Sequence, residues 1–244
     1  MKERKGQQVN TTQLLTGQRT YFSGSYAQFC AFGGPCVYFH LECLRAGREA
    51  FLSHRHIEML YATLTAWGMH RMGGDTKLTD WKRFQASLVA VAPALAEFRS
   101  CKLLDVSESQ YSEAVSQLSA CYRALDLTVS GATIVVNSKA LCHLLPDFIP
   151  PIDRQHTIRF FTWAPEHWKD AKGKFRTISL PSGIDAQLSL FNKTCADMKR
   201  LADRVDPDLF EAEHRQHQVT APKALDNAIV NYVRIVSAVR PLAD

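Results

Sequence analysis

A mainly all-α, compact helical fold with short extended segments is what this 244-residue chain predicts, on three observations. Apolar residues recur at the 3.6-residue spacing of an amphipathic helix through most of the sequence. Glycine and proline fall where such stretches begin and end rather than inside repeated β-turns. Only residues 132–136 and 176–180 look extended.

Taken in order, residues 1–20 read as a polar N-terminal arm and 21–244 as one helical domain that begins with an irregular aromatic segment, 21–32. Gly33, Gly34 and Pro35 introduce a helix to about Arg48, with proline in its first turn. A second helix is expected from His54 to Met72, ended by Gly73 and Gly74. Helical periodicity then covers Asp80 to Arg99, Ser107 to Leu125, Asp185 to Val205 and Pro222 to Val239. With no repeat and no low-complexity linker, nothing marks a second domain.

Composition narrows the function classes. A 46% hydrophobic content can bury a sizeable core, while no apolar run reaches the roughly 18 residues of a membrane span and the first residues, Met1 to Gly6, are not a signal-peptide core. No membrane association and a cytoplasmic location are therefore the expectations. The seven cysteines are odd in number, scattered and without a Cys-x-x-Cys pair, so free and mostly buried thiols are expected. His54 with His56, and His214 with His217, lack companions at a metal-ligand spacing; no metal and no cofactor are expected. The net charge of +5 suits an anionic partner but is also common in proteins that bind no nucleic acid.

Residues 137–157 carry the most information. Asn137 or Ser138 can cap a short helix through Leu145, placing Lys139 in its first turn. Pro146, Pro150 and Pro151 then force a stiff extended connection, and Asp153 opens the next helix, Arg154 to Trp163. A carboxylate at the end of a rigid turn is placed reproducibly, as chemistry on a fixed substrate requires. Asp153 is equally explained as a helix N-cap, and Lys139 as a surface lysine.

Around this centre, Phe32, Gly33, Gly34, Tyr38 and His40 form a glycine-rich aromatic motif suited to a flat ligand, or a plain turn before a helix. Trp67, His70 and Arg71 either wall a pocket or, for Arg71, complement a helix C-terminus, while Gly68 permits a close helix crossing. Lys169, Lys172, Lys174 and Arg176 follow Trp163 and Trp168, with Gly173 breaking a helix between them, and either grip phosphates or form a solvated loop.

The order of helix, glycine-bearing turn, Lys139, short helix, proline-rich connection, Asp153 and following helix resembles the helical DNA glycosylases of the helix-hairpin-helix superfamily. The likeness covers mainly residues 128–163. It departs from the family in the interval of 14 positions between Lys139 and Asp153, which is short, and in carrying Thr128 to Ser138 where a Leu-Pro-Gly-Val-Gly hairpin is usual. The segments at Gly33, at Trp67 to Arg71 and at Pro150 to Arg154 also resemble bacterial phage-defence glycosylases that act on hypermodified cytosine. The resemblance implies a DNA N-glycosylase that flips a modified base, such as glucosylated 5-hydroxymethylcytosine, out of phage DNA, double-stranded by expectation, and leaves an abasic site; a monofunctional route is expected because an attacking lysine must be desolvated, with Schiff-base formation at Lys139 the alternative and a metal-dependent nuclease, which lacks a carboxylate cluster here, the third reading. It casts Asp153 and Lys139 as the reacting pair, Phe32, Gly33, Gly34, Tyr38, His40, Trp67, His70 and Arg71 as substrate-binding, and Asn137, Ser138, Arg154, His156, Lys172 and Lys174 as DNA-binding. The competing expectation is a non-enzymatic helical DNA-binding protein, in which Asp153 merely caps a helix; Asp226 and Asn227, on the final helix, either reach the pocket or face water.

Overall fold

The computed structural model describes residues 2–30, 35–69, 78–129, 131 and 133–238, and among them the regular structure is helical, with isolated β-bridges only between Leu78 and Thr128 and between Lys169 and Phe175. The expected all-α class holds.

The segment read as a polar arm forms α1 (Lys2–Thr16), and the aromatic segment expected to be irregular forms α2 (Gln18–Ser23) and α3 (Ser25–Cys30). Apolar periodicity could not reveal α1 because polar contacts dock it. Asn10 is fully buried, and its amide donates to the carbonyls of Phe160 (2.6 Å) and Trp163 (2.8 Å). Gly6 lies so close to the backbone of Ala164 that a Cβ there would overlap it.

Helix α4 (Cys36–Glu49) starts at Pro35 and packs on α5 (His54–Ala66), whose N-cap Ser53 accepts from the His56 amide. α5 stops at Ala66, six residues before the expected end at Met72, because Gly68 takes a left-handed φ of 83°. That glycine therefore terminates a helix rather than easing a crossing; a Cβ on it would meet nothing within 4 Å. Asp80 caps α6 (Trp81–Ala96) through the Arg83 amide, and a Ser107–Gln110 capping box opens α7 (Glu108–Gln117). The single helix expected over 107–125 is divided at Leu118, where α8 (Ser119–Ala124) begins.

The central element is α9 (Thr133–Leu144). Every residue from Ile134 to Leu144 is buried, so this helix runs through the core rather than along its edge. Its first turn, Thr133 to Val136, was expected to be extended because β-branched residues favour strands. A distant side chain decides otherwise: Gln187 accepts from the Ile134 amide (2.9 Å) and the Thr133 hydroxyl (3.2 Å) and donates to the Gly131 carbonyl, capping α9 from outside the segment. Asn137 and Ser138 consequently lie inside the helix, not at its cap.

After the proline-rich connection the chain makes a wide π-helical turn, Arg154–Ile158, then α10 (Arg159–Thr162) and a 3₁₀ turn at Pro165–His167. α11 (Ile184–Ala202), α12 (Pro207–His217) and α13 (Ala221–Ala238) complete the fold. α12 has no counterpart among the sequence expectations, although Asp206 before Pro207 is a start signal. The cysteines are free thiols: five are buried, Cys101 is half-buried and Cys30 exposed. No described helix is long and apolar enough to cross a membrane.

Candidate active site

A cavity of about 260 Å³ opens where α5, α9, the π-turn and α13 meet. Phe29, Trp67 and Met69 supply apolar wall; Lys139, Asp153 and His156 supply charge on one side, Lys223 and Asp226 on another.

The geometry of Asp153 reconciles its two readings. Its Oδ1 accepts from the amides of Gln155 (2.7 Å) and His156 (3.1 Å), which is N-capping, and from His156 Nδ1 (3.0 Å). Its Oδ2 stands 3.6 Å from Lys139 Nζ. One oxygen serves the cap while the other pairs with Lys139, and both residues line the cavity. Burial alone would raise this carboxyl's pKa, but the His156 hydrogen bond, the Lys139 and His156 charges and the Gln155 amide outweigh it and hold the group well below the usual carboxylate range.

The spacing of the Lys139–Asp153 pair follows from a local lock. Ser138 Oγ, fully buried, accepts from the Ile152 amide (3.1 Å) and lies 3.3 Å from the Ile152 carbonyl, tying α9 to the connection one residue before each partner. Asp153 is held from a third direction as well: its amide donates to Thr157 Oγ1 (3.1 Å), and the Thr157 hydroxyl donates to Asp226 Oδ1 (3.3 Å). Asp226 in turn accepts from Lys223 Nζ at 2.8 Å.

Trp67 stands between the two lysines: Lys139 Nζ lies 5.5 Å and Lys223 Nζ 5.4 Å from its ring centre. Behind it, His40 stacks on Trp67 (5.7 Å) and shares a hydrogen bond of 2.9 Å with His143 Nε2, whose Nδ1 donates to the Lys139 carbonyl at 2.7 Å. That carbonyl can only accept, so His143 carries its proton on Nδ1 and His40 donates from its own Nδ1. Burial lowers His143 to about 4 and His40 well below its ordinary value, so both rings are neutral near pH 7. Burial also pushes the nearby Cys142 thiol up to about 12, which favours the neutral thiol.

Of the residues singled out from sequence, Asp153, Lys139, Trp67 and His156 converge here, as does Asp226, expected either to reach the pocket or to face water; Asn227 is buried and does not line the cavity. His156 lines the cavity as the hydrogen-bond partner of Asp153. His40 supports Trp67 from behind and is 4% exposed. Tyr38 is corrected: it is 61% exposed and packs on Phe39, not in the cavity. Asn137 and Ser138 are corrected too, since both are fully buried; Asn137 donates to the Tyr122 carbonyl (3.2 Å), and neither can reach a phosphate. Phe32, Gly33, Gly34, His70 and Arg71 lie outside the described residues. Arg154 is half-buried beside Asp153.

Lys172 and Lys174 are exposed on a turn whose amides bond to Asp170 Oδ1, with Gly173 at a φ of 75°; the helix expected there does not form. This basic loop is not independent of the cavity. Arg159, fully buried, donates to the carbonyls of Gln155 (2.8 Å), Trp168 (2.9 Å) and Arg176 (2.8 Å), linking the loop's base to the turn that presents Asp153.

Sequence reasoning missed Phe29, Met69 and Lys223. The Lys223–Asp226 pairing had a signal in its i,i+3 spacing. That α13 turns this pair inward depends on packing no local pattern encodes. Among the described residues, no three His, Cys, Asp or Glu side chains converge as a metal site. No protein-family model, no curated protein and no solved structure matches this chain.

Proposed function

We propose that this chain is a DNA N-glycosylase that receives an everted base in the Trp67 cavity and hydrolyses its bond to deoxyribose, with Asp153 as the catalytic carboxylate. The observation that carries this reading is the division of Asp153: Oδ1 is held by three donors, Oδ2 is left to Lys139, and both residues line a cavity with an indole wall.

Breaking a C1′–N bond builds positive charge on the sugar, and a fixed anion within a few ångströms lowers that barrier. The carboxyl's depressed pKa bears on its role. A general base works best with a pKa near the working pH, whereas a carboxylate ionised far below it is suited to stabilising a cation and to accepting a hydrogen bond from the attacking water. Lys139, in salt bridge with Oδ2, acts as a positioning charge, and water rather than the amine attacks C1′. The cavity volume of 260 Å³ is slightly below the roughly 300–1,000 Å³ of sites enclosing drug-sized ligands, which suits a single base whose larger substituents extend through the mouth. Arg154, Lys172 and Lys174 are the cations offered to flanking phosphates.

The substrate to test first is the one the family resemblance implies, a hypermodified cytosine in phage DNA. Purified protein is incubated with DNA bearing glucosylated 5-hydroxymethylcytosine, 5-hydroxymethylcytosine or cytosine, with and without chelator, and abasic sites are counted. Abasic sites in modified DNA that persist in chelator are expected. Binding with no base release from any DNA would refute the reading, and chelator-sensitive strand breaks without abasic sites would replace it with a nuclease.

A further inference from the structure

The cavity contains a second pair of opposite charges, Lys223 and Asp226, each with less than a tenth of its surface exposed. We propose that Lys223 is a catalytic residue that binds the everted base and stabilises the negative charge the base acquires as it leaves. This rests on the glycosylase reading above but has a test of its own.

The placement of the ammonium is the argument. Lys223 Nζ is 2.8 Å from Asp226 Oδ2, 4.5 Å from the centre of the Phe29 ring and 5.4 Å from that of Trp67. Those two rings, 6.3 Å apart and nearly perpendicular at 88°, are the aromatic wall of the cavity, so a flat ligand lying against either meets Lys223. An ammonium carries three N–H donors. Asp226 engages one of them, which leaves capacity for an acceptor on a base. Lys139 is placed differently, against the carboxylate assigned to the sugar. In this proposal Lys139, beside Asp153, serves the sugar end of the scissile bond, and Lys223, which alone also lies against Phe29, serves the base end.

The chemistry requires such a division. The C1′–N bond breaks with both electrons leaving on the base, so negative charge spreads over its ring nitrogen and conjugated carbonyl oxygen while C1′ becomes cationic. Water adds through oxygen to C1′ and releases a proton, which ends on the base; the products are the free base and a 1′-hydroxyl sugar. Asp153 serves the cationic end, and a hydrogen bond from Lys223 serves the anionic end without net loss of its own proton.

Three variants test the assignment. Lys223→Met removes the donor; Lys223→Arg keeps a charge; Lys223→Met with Asp226→Asn removes both charges, so that no buried carboxylate is left unpaired if the single variant fails to fold. The first readout is single-turnover release of 5-fluoro-, 5-hydroxymethyl- and 5-methylcytosine, whose leaving-group acidities differ. Loss of Lys223 is expected to slow release of the least acidic base by about 100- to 1,000-fold and of the most acidic base much less, whereas a merely structural defect lowers all three equally. Lys223→Arg should retain most of the rate. The second readout needs no activity: quenching of tryptophan fluorescence by free cytosine, with affinity about ten-fold weaker or worse in the double variant.

Equal loss on all three bases, or unchanged cytosine binding in the double variant, overturns the role of Lys223 while leaving excision by the wild type intact. A wild type that releases no base from any DNA, yet binds cytosine through Lys223, removes the glycosylase reading and leaves Lys223 as a base-binding residue only, its catalytic role overturned. A wild type that neither excises nor binds cytosine removes both.

Discussion

Replacing Asp153 with asparagine separates the two tasks of one side chain. The amide oxygen can still accept from Gln155 and His156, so the cap survives, whereas the charge facing Lys139 disappears. A unit charge developing about 4 Å from a carboxylate, at an effective dielectric near 20, gains about 4 kcal/mol, which corresponds to roughly three decades in rate. Asp153→Asn is therefore expected to slow base release about 1,000-fold in a single-turnover assay with labelled modified DNA. Its stability cost is smaller. Lys139, whose side chain is only 11% exposed, loses its partner at roughly 1–3 kcal/mol, lowering Tm by very roughly 3–10 °C. Asp153→Ala should lose a similar amount of activity but about 1 kcal/mol more stability, because the cap goes too. Base release by Asp153→Asn within three-fold of wild type would refute the assigned role, and equal stability of the two variants would refute the capping half of the argument.

Borohydride reduction during turnover should trap no protein–DNA adduct; an adduct abolished by Lys139→Gln would transfer the attack from water to the amine. Acidification should weaken the fold in two stages. Buried His143 and His56, each lowered from 6.5 to about 4, contribute stability that is fully present above pH 6.5 and is lost as pH falls towards 4, at up to about 1.4 kcal/mol per pH unit for each. The depressed Asp153 carboxyl adds stability present above its ordinary 3.8 and lost as pH falls further through its folded value. Urea titrations between pH 7 and 4 measure the first stage, His143→Asn should reduce the slope by about one histidine's share, and a flat profile there contradicts neutral burial of these rings. Lys172→Ala and Lys174→Ala should each reduce the salt dependence of DNA binding by about one phosphate contact without changing base release at saturation; an unaltered slope would remove the loop from the DNA interface.

What the sequence made legible was local. The apolar stripes of α4, α6, α11 and α13, and the proline-stiffened approach to Asp153, depend on nearby residues, and their helices fall within a few residues of expectation. The failures have a common cause in partners far along the chain. α9 begins at Thr133 because Gln187 caps it, and α1 is held by carbonyls of residues 160 and 163. Of the site, Asp153, Lys139 and Trp67 were accessible from motif and spacing. Lys223 and Phe29 were not, since each reaches the cavity through the way α13 and α3 pack together.

The serine hydroxyl between α9 and Ile152 has a consequence for how this molecule can vary. The Lys139–Asp153 separation is anchored by a fully buried clasp, so the side chain at the exposed bend, Asp147, is free to change without altering that separation. Loss of a single oxygen atom at position 138 would instead remove the tie that joins α9 to the connection beside the Lys139–Asp153 pair, leaving that separation to the Thr157 and Asp226 contacts alone.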